Sequence, residues 1–459
     1  MKPNVLFIMT DQMRHDAIGS VGGWTRTPNL DALASKSVLF EQCVTTSPVC
    51  IPARISLQSG LYPHNTGVWE NTHVSMPPEW SNWMPALRSA GYRTSVFGKT
   101  HLHPHKGDLR DREDLVYEYG LDDIDEIGGP RASARVGSNM TDRWAELGLL
   151  DAYREDYRRR FAVKPWVARP SVLPREEYAD SYVGRSAREY LSSYDRDEPW
   201  FCWVSFGGPH EPWDAPEPFA SMYDPKEMPR PLDRGDASAS APRGALHERY
   251  ERWSEIPKDE ILALRANYAG NVTLIDEEIG RLMEVVRRRG EEENTIVVFT
   301  SDHGEMNGDH GLLYKENFLD AAVRVPLIVR PAGGSEARRT RALVELLDVG
   351  PTILDLAGAP AAGDRPGFGR SLADLVSGGT DLHREYVVSE LAGEVMVMTG
   401  NWKLVLNRDG VPYLLFDRYR DPGEQRNLVG HPDAQRAIWE LTALAARHLI
   451  STMVRGSDS

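Results

Sequence analysis

Cysteine is scarce in this chain: Cys43, Cys50 and Cys202 are the only three among 459 residues. Three thiols cannot form the disulfide framework of a small stapled scaffold, so the fold must rest on an apolar core, and a reducing compartment is expected. Long apolar runs are missing as well. The N-terminal "MKPNVLFIMTDQ" holds a stretch too short for a secretory leader or a membrane span and reads as a buried first strand. A cytoplasmic chain with no membrane partner is the expectation. Positive charge is outnumbered, with 53 Lys and Arg against 68 Asp and Glu, a formal net charge of −15. A general nucleic-acid binder needs a basic face, which this balance argues against. A small anionic substrate stays open, provided basic groups gather locally. Internal repeats are absent too.

What is present is an enzyme-sized globular composition, 41% hydrophobic and 26% charged, long enough for one large domain or two unequal ones. Two apolar runs end alike: "NVLFIMTDQ" (4–12) runs into Asp11-Gln12, and "NTIVVFTSDHG" (294–304) into Asp302-His303. Strands apolar on both faces belong to parallel sheets covered by helices, and ligands on such sheets collect beyond the carboxyl ends of the strands. "YRTSVFG" (92–98) ends at Lys99, "PWFCWVSFG" (199–207) runs towards His210, and "VPLIVR" (325–330) is a fifth strand. Amphipathic helices are predicted at "TPNLDALASKS" (with Thr27 as its cap), "DSYVGRSAREYLSSY" and "ILALRANYAGNVTLIDEEIGRLMEVVRRR". The alternation predicts an α/β fold with a large sheet between helices. Residues 105–175, rich in Arg, Asp and Glu with little periodicity, and the loop-like, partly low-complexity 224–258 read as excursions over the active face of the sheet. From about 371, alternating strands and the amphipathic "AQRAIWELTALAARHLI" predict a small antiparallel α+β subdomain, dividing the chain into 1–370 and 371–459.

Asp11, Gln12, Asp302 and His303 together offer mostly oxygen ligation for a divalent cation such as Ca²⁺ or Mn²⁺, the imidazole favouring Mn²⁺ more than an all-oxygen set would. For either pair alone, capping of a strand end is the plainer reading; two such pairs far apart in sequence shift the balance. "GKTHLHPHK" (98–106) places Lys99 and His101 after a strand end, and His210 and Lys315 follow other strands. Together they would supply positive charge for an oxyanion. In "TTSPVCIPARISLQSG" (45–60), Pro52 suits the first turn of a helix, which puts Cys50 at a helix N-terminus where an anionic group is favoured. A packed thiol, a thiolate nucleophile and a precursor of another group all remain open for Cys50. Trp69, Glu70, Asn71, His73, His103, His105 and Trp213 are candidates for a pocket wall.

The motif C-x-P-x-R, here Cys50-Ile51-Pro52-Ala53-Arg54 followed by "ISLQSGLYPH", resembles that of the type I, formylglycine-dependent sulfatases of the alkaline-phosphatase superfamily. The resemblance extends over nearly the whole chain, through "PNVLFIMTDQ", "GYRTSVFGKTHLH", "PWFCWVSFGGPHEPW", "NTIVVFTSDHGEMNGDHGLLYKENFLDAAVRVPLIVR" and "LLFDRYRDPGEQRNL". It implies an alkaline-phosphatase-like, mixed but mostly parallel sheet and the hydrolysis of a sulfate monoester to alcohol and sulfate. It implies oxidation of Cys50 to Cα-formylglycine by a maturation enzyme, and one divalent metal, Ca²⁺ first and Mn²⁺ second. Asp11, Gln12, Asp302 and His303 would hold that metal with position 50. Arg54 would hold the frame, Lys99 and Lys315 the sulfate, His101 the hydrated aldehyde, and His210 would protonate the leaving alcohol. Asp-Gln and Asp-His stand where many members carry Asp-Asp and Asp-Asn. Phosphonate monoester and phosphodiester hydrolases of the same superfamily are the alternative activity, but they lack a Lys-x-His pair, so Lys99-Thr100-His101 favours sulfate esters. A non-catalytic protein binding sulfated glycans is the expectation from another class; no catalytic position is missing to favour it. The substrate is a small anionic sulfate ester, with a sulfated sugar among the options, and the large excursions and final helix leave surface for a homo-oligomer.

Overall fold

The computed structural model describes all residues except 1, 72, 163, 165, 236–243, 253–255, 363–366 and 454–459, and only the backbone of 251 and 252. A large sheet is built from β1 (Asn4–Asp11), β2 (Val38–Val44), β3 (Arg93–Gly98), β4 (Asp123–Glu126), β5 (Trp200–Pro209), β6 (Thr295–Ser301), β7 (Arg324–Arg330), β8 (Arg338–Thr340) and β9 (Val344–Glu345). Its order is β4-β3-β5-β1-β6-β7-β2-β8, with β9 also on β2. From β4 to β6 all neighbours are parallel; β7 runs antiparallel to both β6 and β2. The sheet is therefore mixed and mostly parallel, as expected. A second, antiparallel sheet follows from β10 (Val387–Leu391), β11 (Glu394–Met398), β12 (Trp402–Leu406) and β13 (Pro412–Asp417). It packs under the helix Gln435–Ser451 through Val388, Val397, Leu415, Ile438 and Leu441.

The first strand shows why the sheet is sandwiched. All eight of its residues are buried, and successive side chains go to opposite sides. Leu6 and Ile8 join a core with the helices Ala179–Ser193 and Lys258–Arg288. Val5, Phe7 and Met9 join another with the helices Cys50–Ser59, Trp83–Ser89 and Val349–Leu356. Each large apolar side chain so buried stabilises the fold by about 1.5–3 kcal/mol. With both faces covered, only the strand ends are free to present polar groups.

Several expectations are corrected. The segment 105–175, read as having little periodicity, contains the helices Glu113–Glu118, Asn139–Glu146 and Leu150–Phe161, which bury Val116, Met140, Trp144 and Tyr153. Within 224–258 the helix Ala245–Arg252 forms, while the low-complexity stretch 236–243 and residues 253–255 lie outside the described residues. Thr27 does precede a helix, Pro28–Ala34, but its hydroxyl caps nothing there. It accepts from the Gly19 amide instead, at 2.7 Å. No helix among the described residues is long and apolar enough to cross a membrane.

Candidate active site

Four parallel strands deliver the site by ending side by side. Asp11 closes β1, Asp302 and His303 follow β6, Lys99 follows β3 and His210 follows β5. The register places Thr10 beside Ser301, Asp11 beside Pro209 and Gly98 beside Ser205. These are the carboxyl ends, where an α/β sheet opens its crevice. The chain turns sharply here: Gln12 takes a φ of 69°, a conformation that costs a non-glycine residue about 1–3 kcal/mol. It is held by its amide donating to Asp302 Oδ1 at 3.0 Å and its carbonyl accepting from the Tyr268 hydroxyl at 2.9 Å.

Cys50 arrives from the other side of the sheet, as the first residue of the ten-residue helix Cys50–Ser59. Pro52 sits in its first turn, where no intrahelical donor is required, Asn71 Oδ1 accepts from the Ile51 amide at 3.0 Å, and Gly60 closes the helix in the left-handed conformation. Every residue of this helix is buried, Arg54 included. Arg54 Nε donates to Asp302 Oδ2 at 2.7 Å, its Nη1 to the Lys99 carbonyl at 2.7 Å, and its Nη2 to Asp11 Oδ2 at 3.5 Å. One guanidinium thus ties three strand ends to the helix that carries Cys50.

Asp11, Cys50, Asp302 and His303 each present one donor atom, all within 4.8 Å of one another, and all four side chains are buried. Cys50 Sγ lies 3.1 Å from His303 Nε2 and 3.8 Å from Asp11 Oδ1. His303 Nδ1 donates to the Gly304 carbonyl at 3.0 Å, which turns Nε2 inwards as the ligating atom. Burial opposes charge on His303, yet Asp302 and Cys50 facing it raise its pKa. Burial likewise resists ionisation of Cys50, but Lys315, Lys99 and His303, with a hydrogen bond from His101, hold the thiol well below its ordinary value. Burial and the Cys50 charge push the Asp11 carboxyl upwards, while Lys99, His210 and Arg54 more than offset them and keep it ionised. Three buried anionic donors beside an inward imidazole nitrogen fit a divalent cation well.

Lys99 Nζ pairs with Asp11 Oδ2, and Lys315 Nζ donates to Gln12 Oε1. Burial alone would discharge Lys315, but Cys50, Glu211 and Asp11 raise its pKa and hold the charge. His101, at φ 56°, is kept neutral by burial and by Lys99; its Nδ1 is buried and has no partner among the described residues. His210 Nδ1 donates towards Glu211, 2.8 Å from its carbonyl and 3.1 Å from Oε2, leaving Nε2 free to exchange a proton. All ten residues expected from the sequence therefore converge. Cys50, Lys99, His101, His210 and Lys315 line one cavity of about 500 Å³. A larger, shallower depression between the helices Ala179–Ser193 and Lys258–Arg288 contains none of them.

The proposed pocket wall is only partly so. Asn71 lines the cavity, but His103 and His105 turn away to Glu126, at 2.7 and 3.3 Å. Trp213 is buried and stacks on Tyr314 instead, with ring centroids 5.5 Å apart. Sequence reasoning missed Arg131, Arg135, Glu211, Arg249 and Tyr314 on the wall. Glu211 follows His210 directly and could have been found from that; the arginines sit in segments without a periodic pattern.

Comparisons with known proteins bear on the family and the fold. The sequence profile of the sulfatase family matches residues 3–359, and that of the N-sulphoglucosamine sulphohydrolase C-terminal region matches 308–448. The chain is 30% identical to the multifunctional alkaline phosphatase superfamily protein PehA of Trinickia caryophylli, over 96% of each chain. It is 29% identical to the choline-sulfatase of Rhizobium meliloti, over 97% of this chain and 88% of that one. Its fold superimposes on the phosphonate monoester hydrolase of Silicibacter pomeroyi with a TM-score of 0.79 and 26% identity, over 98% of this chain and 96% of the other.

Proposed function

The chain belongs to the sulfatase family of the alkaline-phosphatase superfamily and is a sulfuric ester hydrolase; from that premise we propose that position 50, as Cα-formylglycine, is its nucleophile. The observation that carries this reading is the convergence of Cys50 with two carboxylates, His303, Lys99 and Lys315 at one buried point. In the formylglycine form, installed by an external maturation enzyme and an oxidant, the hydrated aldehyde supplies one hydroxyl to attack sulfur and another to release the product. Asp11, Gln12, Asp302 and His303 would hold one divalent cation, Ca²⁺ first and Mn²⁺ as the alternative. Bound there, it supplies Lewis-acid polarisation and lowers the pKa of the nucleophilic hydroxyl.

The chain's own residues do the rest. Lys99 and Lys315 bind the sulfuryl oxygens and balance charge that grows on them in the transition state. His101, neutral and hydrogen-bonded to position 50, orients the nucleophile. His210 Nε2 gives a proton to the leaving alcohol while Glu211 holds Nδ1, which fixes the ring for that transfer. Arg54 keeps Asp11, Asp302 and the helix in register. This catalytic assembly occupies 1–370, with 371–459 as the C-terminal subdomain. The substrate is a small anionic sulfate ester, with sulfated sugars among its candidates.

Similarity to a phosphonate monoester hydrolase favours a second reading, hydrolysis of phosphonate monoesters or phosphodiesters in the same cavity. Rates on matched aryl sulfate, aryl phosphonate and aryl phosphodiester substrates separate the two. The sulfate is expected to give the highest kcat/KM, because Lys99 and His101 are both present. A higher kcat/KM on either phosphorus ester would reverse the assignment.

A further inference from the structure

The cavity carries more positive charge than one sulfate monoester requires. Lys99, Lys315, Arg131, Arg135 and Arg249 line it, against Glu211 and Glu316, in a chain whose net charge is −15. Four of these cations are already engaged. Lys99 and Lys315 turn inwards to Asp11 and Gln12. Arg131 Nη1 pairs with Glu211 Oε1 at 3.0 Å, and Arg249 with Glu316. Arg135 is exposed, and its guanidinium has no hydrogen bond or ion pair among the described residues.

Arg135 stands on a wall whose position is fixed. The Arg135 amide donates to the Ala132 carbonyl at 2.7 Å and the Ser133 amide to Gly129 at 3.1 Å. The Tyr153 hydroxyl donates to the Pro130 carbonyl, and Arg154 Nε to Ala134 at 3.1 Å. Gly129, at φ 71°, packs against the Lys99 stem so closely that a Cβ there would lie 3.0 Å from Lys99 Cδ. The wall is also coupled to the strand ends: Arg131 meets Glu211, and Glu211 Oε2 accepts from Gln12 at 3.0 Å. A free guanidinium is thus presented, on a backbone already held in place, to the same cavity as Lys99 and Lys315.

We propose that Arg135 forms a subsite for a second anionic group, a carboxylate or another sulfate, on the alcohol portion of the substrate. The inference rests on reading the cavity as a sulfate-ester site. A planar guanidinium recognises such a group through paired charge-assisted hydrogen bonds. The natural ester would then carry two acidic groups, one cleaved and one read.

The test compares 3- and 4-sulfooxybenzoate with the neutral 3- and 4-sulfooxybenzamide on protein bearing formylglycine. The wild type is expected to prefer at least one benzoate isomer by kcat/KM. In Arg135→Ala the benzoate-to-benzamide ratio should fall about ten-fold, through KM rather than kcat. Arg135→Glu should lower it further, and Arg135→Lys should recover part of it. Turnover with a ratio that Arg135→Ala leaves unchanged would overturn the subsite alone. So would a loss shared equally by both substrates, which marks a merely structural role. No turnover of any of the four esters would overturn the sulfatase reading and the subsite with it.

Discussion

Gln12 is the single side chain whose orientation most depends on its neighbours. Its Nε2 donates to Glu211 Oε2 and to Glu305, so its Oε1 is the atom turned towards Lys315 and the ligand cluster. Glu211 stays ionised: burial opposes its charge, but His210, Arg131 and Lys315 pull its pKa below the ordinary carboxylate value. Burial raises the Glu305 carboxyl, with the Glu211 charge adding to the effect. Glu211→Gln would weaken the ion pair to Arg131 and relax the hold on both Gln12 and His210. A supporting partner of a metal ligand is typically worth 10–100-fold in affinity. Competition with a chromophoric chelator is therefore expected to show a metal Kd weakened by about that factor; an unchanged Kd would contradict the role. Asp11 and Gln12 were legible because an apolar strand running straight into a polar pair is a distinctive pattern. Glu211 was signalled only by its place directly after His210; its burial was not, because a single buried carboxylate reads in sequence the same as a solvated one.

Among the elements, the turn that ends β5 sets the place of His210. Asp180, on the helix Ala179–Ser193, accepts from the Gly207 and Gly208 amides with one oxygen, both at 2.9 Å. Burial pushes its carboxyl up to about 6 from 3.8, while the two amides and Asn271 act in the opposite direction. Below pH 3.8 the group is protonated in both folded and unfolded chains. Between 3.8 and about 6 only the unfolded chain ionises, so stability from this group falls as pH rises, and above about 6 the loss is complete. The size of that loss is roughly 3 kcal/mol. Asp180→Asn keeps an acceptor for both amides and removes the charge that burial opposes. Calorimetry on both proteins should show the variant gaining Tm relative to the wild type as pH rises from 4 to 6, then running parallel. A constant difference across that range would refute the assignment. The helix from Cys50 and the strands β1, β3, β5 and β6 were legible from periodicity and Pro52. The direction of β7 was not, since a short apolar run encodes burial and carries no sign of strand direction.

Across the whole molecule, the candidate site is assembled from residues between 11 and 315, which no local pattern could have joined. The ordered motifs together carried that information. The C-terminal sheet is tied back to this centre by polar contacts as well as apolar ones. Glu390 on β10 accepts from the His64 amide at 2.9 Å and pairs with its ring at 2.7 Å, five residues past the end of the helix that carries Cys50. Its own amide donates to Thr46, just before that helix. The helices of residues 139–161 were hidden because Arg, Asp and Glu are frequent in them; Met140, Trp144 and Tyr153 anchor their inner face, with Leu150 and Tyr157 packed beside them. In the proposed function the Cys50 thiol is a precursor, and catalysis belongs to its formylglycine form. Mass spectrometry of the tryptic peptide spanning residues 37–54, from protein made in its native host and assayed in parallel, tests this most directly. The expected result is a peptide lighter by the change from a thiol to an aldehyde, with turnover proportional to its fraction. Full turnover from protein whose Cys50 is an unmodified thiol throughout would contradict it.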